Sequence, residues 1–205
     1  MPTVLVPADR IERWVENFRT SHGGARLSVQ DGALTGQAAD GSTFSARLPF
    51  DQEYAGAADP AAFAGAVTVP GDWGLLLVRK GGFAVARLHG TTVVGSKVGQ
   101  RHVQGRTKAG GQSQQRFARR RANQARQAYE AAAEHAARIL DGLRGPVVTG
   151  GDRAAVDEVL ADPRLRSLRV TGPWLAVPDP RRSVLDRAVL AAGSARVELD
   201  NAGPA

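Results

Sequence analysis

The chain has 205 residues, 42% of them hydrophobic, enough for one large or two small packed domains. A net charge of +7 and a pI of about 10.9 suit a polyanionic partner such as nucleic acid. Cysteine is absent, which excludes disulfides, thiolate metal sites and a cysteine nucleophile.

The opening MPTVLVPADRIERW has neither a basic n-region nor a long apolar run, so it does not read as a secretory signal. No stretch reaches the roughly 20 apolar residues of a membrane span, and a cytoplasmic protein is expected. Asp9 with Glu12 resembles a capping box, and Ile11, Trp14, Val15 and Phe18 follow at i, i+3, i+4, i+7. This predicts an amphipathic helix that stops at His22-Gly23-Gly24. Trp14 and Phe18 at that spacing read as core rather than as a ligand-stacking pair.

Three alternating segments come next: 25–30, 33–38 and 43–48. Asp31-Gly32 and Asp40-Gly41 separate them, the turn dipeptides of an antiparallel meander. Pro49-Phe50 ends it, and the Ala-rich stretch 52–66 reads as a loop with a short helix after Asp59-Pro60. A second meander is predicted from 73–80, 83–89 and 91–97, turning at Gly81-Gly82 and Gly90, with 100–106 as an extension.

From Ser113, a candidate N-cap, the period changes. Phe117, Ala118, Ala122, Ala125, Tyr129, Ala132, Ala136, Ile139, Leu140 and Leu143 form one helical stripe ending near Gly142 and Gly145. The remaining chain alternates: strand 146–149, helix 153–161, strand 168–171, helix 180–192, strand 195–199. Such alternation implies right-handed crossovers and some parallel pairing. The economical architecture is a single α/β domain, with residues 1–66 as a helix-and-hairpin extension and 67–205 as the core.

The charge is not spread evenly. Between Asp72 and Glu130 there is no acidic residue, yet that interval holds Arg79, Lys80, Arg87, Lys97, Arg101, Arg106, Lys108, Arg116, Arg119, Arg120, Arg121 and Arg126. Inside it lies Gly110-Gly111-Gln112. Two glycines let a backbone reach positive φ and approach a substrate closely. A carboxamide is neither acid nor base, but it can orient water, and neighbouring amides can support charge developing on an attacked carbonyl. An activated ester, such as the aminoacyl linkage on tRNA, is a substrate that positioning alone can hydrolyse. The bland alternative is a flexible loop before a helix.

Other chemistry is less well supplied. His22, His89, His102 and His135 form no ligand pair, and no metal or cofactor is expected. Asp152, Asp157 and Glu158 could be read as a two-metal nuclease cluster, but on one short helix they read better as surface acids. No G-x-S-x-G elbow or phosphate-loop motif is present. Gly150-Gly151-Asp152 reads as a tight strand-to-helix turn rather than an anion cradle.

The run KVGQRHVQGRTKAGGQSQQRFARRRANQ, with VVTGGDRAAVDEVLAD downstream, resembles release-factor-like peptidyl-tRNA hydrolases of actinobacterial type. These are related to the eukaryotic ribosome quality-control hydrolase and to the middle domain of eukaryotic and archaeal release factor one. The resemblance is strongest over Gly95–Asp162. It implies an α/β (α+β) fold with a mixed sheet of ribonuclease H-like topology and flanking helices. It also implies codon-independent hydrolysis of peptidyl-tRNA on stalled ribosomes or large subunits, without a metal.

By position, Gly110, Gly111 and Gln112 match the family's Gly-Gly-Gln. Gln114 satisfies the Gly-x-x-Gln variant from Gly111 and remains an alternative. Lys97, Arg101, Arg106, Lys108, Arg116, Arg119, Arg120 and Arg121 are the candidate RNA contacts, and the partners implied are large-subunit rRNA and P-site peptidyl-tRNA, met by a monomer. The chain is short for the stop-codon-reading and GTPase-partner domains of full release factors, which favours ribosome rescue. A non-enzymatic rRNA-binding factor is the second reading.

Overall fold

The computed structural model describes residues 2–100 and 112–202, and describes residues 112–123 through their backbone only. Two compact units emerge, residues 1–69 with 190–205 and residues 70–189. Each holds one five-stranded sheet.

The first unit runs through strand β1 (Thr3–Val6), helix α1 (Ile11–Ser21), strands β2 (Ala25–Gln30), β3 (Ala33–Ala38) and β4 (Thr43–Arg47), and helix α2 (Pro60–Ala66). The Asp-Gly signals are fulfilled. Asp31 and Gly32 both take positive φ, 48° and 70°, as a tight two-residue hairpin requires. Asp59 caps α2 by accepting from the Ala62 amide at 2.8 Å, with Pro60 at the first helical position.

Helix α1 ends as expected: His22 closes it and Gly23 and Gly24 have φ of 72° and 97°. Its start is different. Asp9 lies within a 3-10 turn, Ala8–Arg10, that runs straight into α1, and no side chain caps either helix. Asp9 is thus already inside helical backbone rather than in the extended conformation an N-cap needs.

Ile11, Val15 and Phe18 are buried against Val6, Leu34, Phe44, Ala46 and Val197. Trp14 stacks on Phe18 at 6.0 Å and meets the Phe44 ring edge-on at 5.1 Å, so the pair is core. Gly36 lies under Phe44, where a β-carbon would strike the ring.

The second unit contains β5 (Asp72–Arg79), β6 (Gly82–His89), β7 (Thr92–Gln100), α3 (Gln112–Ile139), β8 (Pro146–Gly151), α4 (Arg153–Leu160) and β9 (Arg169–Leu175). Helix α5 (Arg182–Ala192) spans the boundary, and β10 (Ala195–Asp200) follows. The strand order is β7-β6-β5-β8-β9. β5, β6 and β7 form an antiparallel meander, while β8 lies parallel to β5 and β9 parallel to β8. A three-strand meander extended by two parallel crossover strands on the side of its first strand is the ribonuclease H-like arrangement.

Central strand β5 is buried from Trp73 to Val78, which explains its continuous apolar run. Between β6 and β7 the register slips, leaving Val94 unpaired and 60% exposed at a bulge.

Several boundaries differ from expectation. Strand β9 extends four residues beyond 171, through Pro173; it is the sheet's edge strand, where proline costs no ladder bond on the open side. Helix α3 begins at Gln112, so Ser113 is within it rather than at its cap. The expected strand extension 101–106 lies outside the described residues. Most different is β10. Read as the last strand of the C-terminal alternation, it instead pairs antiparallel with β1 and β4, completing the order β1-β10-β4-β3-β2 in the first unit.

Candidate functional site

Two elements of the second unit flank the segment 101–111: β7, which ends at Gln100, and α3, which begins at Gln112. At 28 residues and about 1.5 Å per residue, α3 is roughly 42 Å long. Its C-terminal half is anchored. Ala128, Tyr129, Ala132, Ala133, Ala136 and Leu140 are buried with Leu76, Val78, Phe83 and Val85 of the sheet and Val156 and Val159 of α4. Small alanines let the helix lie close on the strands. Burial pushes the Tyr129 phenol up from its ordinary value, with Asp152 and Glu158 adding to the effect.

The far end of α3 is locked by Arg87. Its guanidinium makes a two-pronged contact with Asp72, 3.2 and 2.8 Å, and donates to the Asp141 carbonyl at 2.8 Å just past the helix. Hydrogen bonding to Asp72 raises the Arg87 pKa. Arg79 is similarly engaged, donating to the Val177 carbonyl at 2.9 Å and pairing with Asp179 at 3.3 Å. Two cations of the acid-free interval therefore serve the fold. Lys97, exposed on β7, pairs with no described carboxylate.

Gly110, Gly111, Arg101, Arg106 and Lys108 lie outside the described residues. Gln112, Gln114, Arg116, Arg119, Arg120 and Arg121 fall in the first ten residues of α3, where the backbone alone is described. The acidic trio has ordinary duties. Asp152 caps α4 by accepting from the Ala154 amide at 3.1 Å, and Asp157 and Glu158 are exposed. Gly151, with φ of 105°, makes the tight turn read from the sequence, and the Asp152 amide donates back to the Val78 carbonyl at 2.8 Å. No group of three or more His, Asp or Glu able to hold a metal ion occurs among the described residues.

Sequence reasoning weighed His135 only as a metal ligand. In the structure its ring stacks on Phe83 at 5.5 Å, and its Nδ1 lies 2.7 Å from Nη2 of Arg138. Together with Lys97, Gly99, Gln100, Ala128 and Ala131, these two rings line a cavity between the β6–β7 edge and α3. The His135–Arg138 spacing of i, i+3 was visible in the sequence. The approach of Phe83, two strands away, was not.

Residues 71–198 match the actinobacteria/chloroflexi VLRF1 release factor family. The chain belongs to that family. The matched segment holds β5 through α5 and most of β10, and includes Gly110-Gly111-Gln112. It begins where the first unit's N-terminal elements, β1 to α2, have ended. As a release-factor family member, the protein has a release-factor-like, ribosome-associated role. No curated protein matches the chain. No helix among the described residues is long and apolar enough to cross a membrane.

Proposed function

We propose that the protein is a codon-independent peptidyl-tRNA hydrolase that frees nascent chains from stalled ribosomes or large subunits. The observation that carries this reading is a Gly-Gly-Gln tripeptide inside the release-factor match, whose glutamine is the first residue of α3. In this reading Gln112 orients a water molecule against the ester carbonyl carbon. The water oxygen forms the new bond, the bond to the tRNA ribose oxygen breaks, and the water's proton passes to that oxygen. The carboxamide supplies geometry rather than basicity. The amides of a helix's first turn have no intrahelical partners, so those beginning at Gln112 are suited to an oxyanion. Gly110 and Gly111 permit close approach, and Gln114 is the alternative water-positioning residue.

Lys97, Arg101, Arg106, Lys108, Arg116, Arg119, Arg120 and Arg121 would hold rRNA and tRNA phosphates. The protein would act as a cytoplasmic monomer without metal or cofactor. The test is incubation with purified nascent-chain–tRNA–ribosome complexes, followed by a gel that separates peptidyl-tRNA from free peptide. Free peptide should accumulate equally with stop and sense codons in the A site, with large subunits lacking mRNA, and in the presence of chelator. Tight binding without any release would favour a non-enzymatic rRNA-binding factor. Cleavage of RNA abolished by chelator would favour a nuclease.

A further inference from the structure

The cavity lined by Phe83, Lys97, Gly99, Gln100, Ala128, Ala131 and His135 lies where β7 ends, immediately before the segment that carries Gly-Gly-Gln. One wall is fixed. Phe83 is clamped between Gly99, where a β-carbon would strike its ring, and the stacked imidazole of His135. Its polar groups have a defined protonation. A guanidinium only donates, so at 2.7 Å from Arg138 the Nδ1 of His135 accepts, and the proton sits on Nε2. Burial first, then the nearby charges of Arg138 and Lys97, hold the imidazole's pKa below its ordinary value, with Glu134 acting weakly the other way. His135 is thus a neutral donor at physiological pH.

The polar side chains among the lining residues are Lys97, Gln100 and His135, and none of the lining residues carries a carboxylate. Side chains that can donate and that carry net positive charge favour an anionic oxygen. At about 180 Å³ the cavity is smaller than the roughly 300–1,000 Å³ of pockets that hold whole small molecules. One phosphate group suits it better than a nucleotide.

We propose that this pocket takes a single RNA phosphate, with Lys97 supplying the charge and His135 a neutral hydrogen bond, so docking the strand that feeds the Gly-Gly-Gln segment. The proposal rests on the ribosomal reading above. The phosphate can come from rRNA or tRNA, so the full-length protein is tested on two probes across a salt series. One is purified large subunits alone. The other is large subunits whose P-site tRNA carries a peptide through a non-hydrolysable amide.

Lys97→Ala should weaken binding roughly tenfold and lower the salt slope by about 0.9. His135→Leu should weaken it several-fold with the slope unchanged, because a neutral donor displaces no counterion. His135→Gln, which can restore a donor near Nε2, should bind like the wild type. Melting curves on the same variants separate loss of binding from loss of folding. A deficit on both probes assigns the phosphate to rRNA, and a deficit only on the loaded subunit assigns it to tRNA. Unchanged affinity in Lys97→Ala and His135→Leu overturns the pocket alone, as does an equal loss in His135→Leu and His135→Gln, which marks a packing role. Failure of the wild type to bind either probe overturns the ribosomal reading with it.

Discussion

The unit formed by residues 1–69 and 190–205 carries 6 basic and 10 acidic residues, a net charge of −4. Residues 70–189 carry 21 basic and 10 acidic residues, a net charge of +11. The whole-chain value of +7 therefore conceals a strongly basic unit joined to an acidic one. Their architectures are less different: each has a five-stranded sheet and helices with alanine- or aromatic-rich buried faces. What separates them is how cations are used. In the basic unit Arg79 and Arg87 are committed to carbonyls and carboxylates of the fold, while Lys97 is left exposed on β7. Affinity for a polyanion should therefore belong to one unit, and a count of arginines overstates how many serve it.

The sharpest way to break this comparison is at Gln112. Gln112→Ala leaves all 21 positive charges of the basic unit in place. Ribosome binding should survive, because phosphate contacts dominate affinity. Peptide release should fall on the order of a hundredfold or more, the usual cost of losing one positioned polar group at a reacting centre. Gln114→Ala is the control. If it abolishes release while Gln112→Ala does not, the Gly-x-x-Gln register is the right one. If neither matters, water is positioned elsewhere.

Next comes charge itself. Replacing Arg119, Arg120 and Arg121 together with Glu should weaken large-subunit binding by well over tenfold and reduce the salt slope by about three. The matching change in the acidic unit, Glu12→Lys with Glu16→Lys on exposed positions of α1, should leave affinity within about twofold. If the second change alters binding as much as the first, the division of labour is wrong. The readout for both is equilibrium binding to purified large subunits over a salt series.

A smaller effect is shared by both units. Asp59 and Asp152 each accept an amide at the start of a helix, in the acidic and basic unit respectively. Either Asp→Ala change should cost about 1 kcal/mol in denaturant unfolding. A loss at Asp152 much larger than at Asp59 would show that the turn after β8 does more than cap α4.

These caps also show what was legible in the sequence. Local chemistry was. Asp31-Gly32, Asp59-Pro60 and the apolar run from Trp73 each state their own geometry within a few residues, and the structure follows them. The pattern of two meanders and a later strand–helix alternation was enough for the mixed α+β class. Partners distant in the chain were not legible. Nothing within Ala195–Asp200 says that it joins Thr3–Val6 and Thr43–Arg47 rather than its sequence neighbours, because the pairing is decided by burial of Val197 with Phe44 and Val6. Four residues, Thr3–Val6, are too few to display a period, so β1 was missed. The Phe83–His135 stack has the same origin: each residue is ordinary on its own element, and only the packing of α3 on β6 joins them. Gly110-Gly111-Gln112 stood out because its chemistry is contiguous.

The smallest effect compares one hydrogen-bonded aspartate from each unit. Asp162 accepts from the Arg164 side chain at 3.0 and 2.8 Å and from its backbone amide at 2.9 Å, and its pKa falls from the ordinary 3.8 to about 2, the side-chain bonds contributing most. Asp40 accepts from the Ser42 amide and from His22 Nδ1, both at 2.8 Å, and is lowered too, chiefly by the backbone bond. A carboxylate whose folded pKa is depressed stabilises the fold above its unfolded pKa and loses that contribution as pH falls through the folded value. For Asp162 the window lies between about pH 4 and about pH 2. Asp162→Asn should therefore melt slightly below wild type at pH 7, and the two curves should converge by about pH 2. Asp40 is exposed, and Asp162 is half-buried but paired with the exposed Arg164, which keeps the effects small and salt-sensitive. At Asp40 the main donor is a backbone amide, which an asparagine carbonyl can still accept. Asp40→Asn should therefore keep more of its stability than Asp162→Asn, and melts of both variants across pH in low and high salt would show whether the order is reversed.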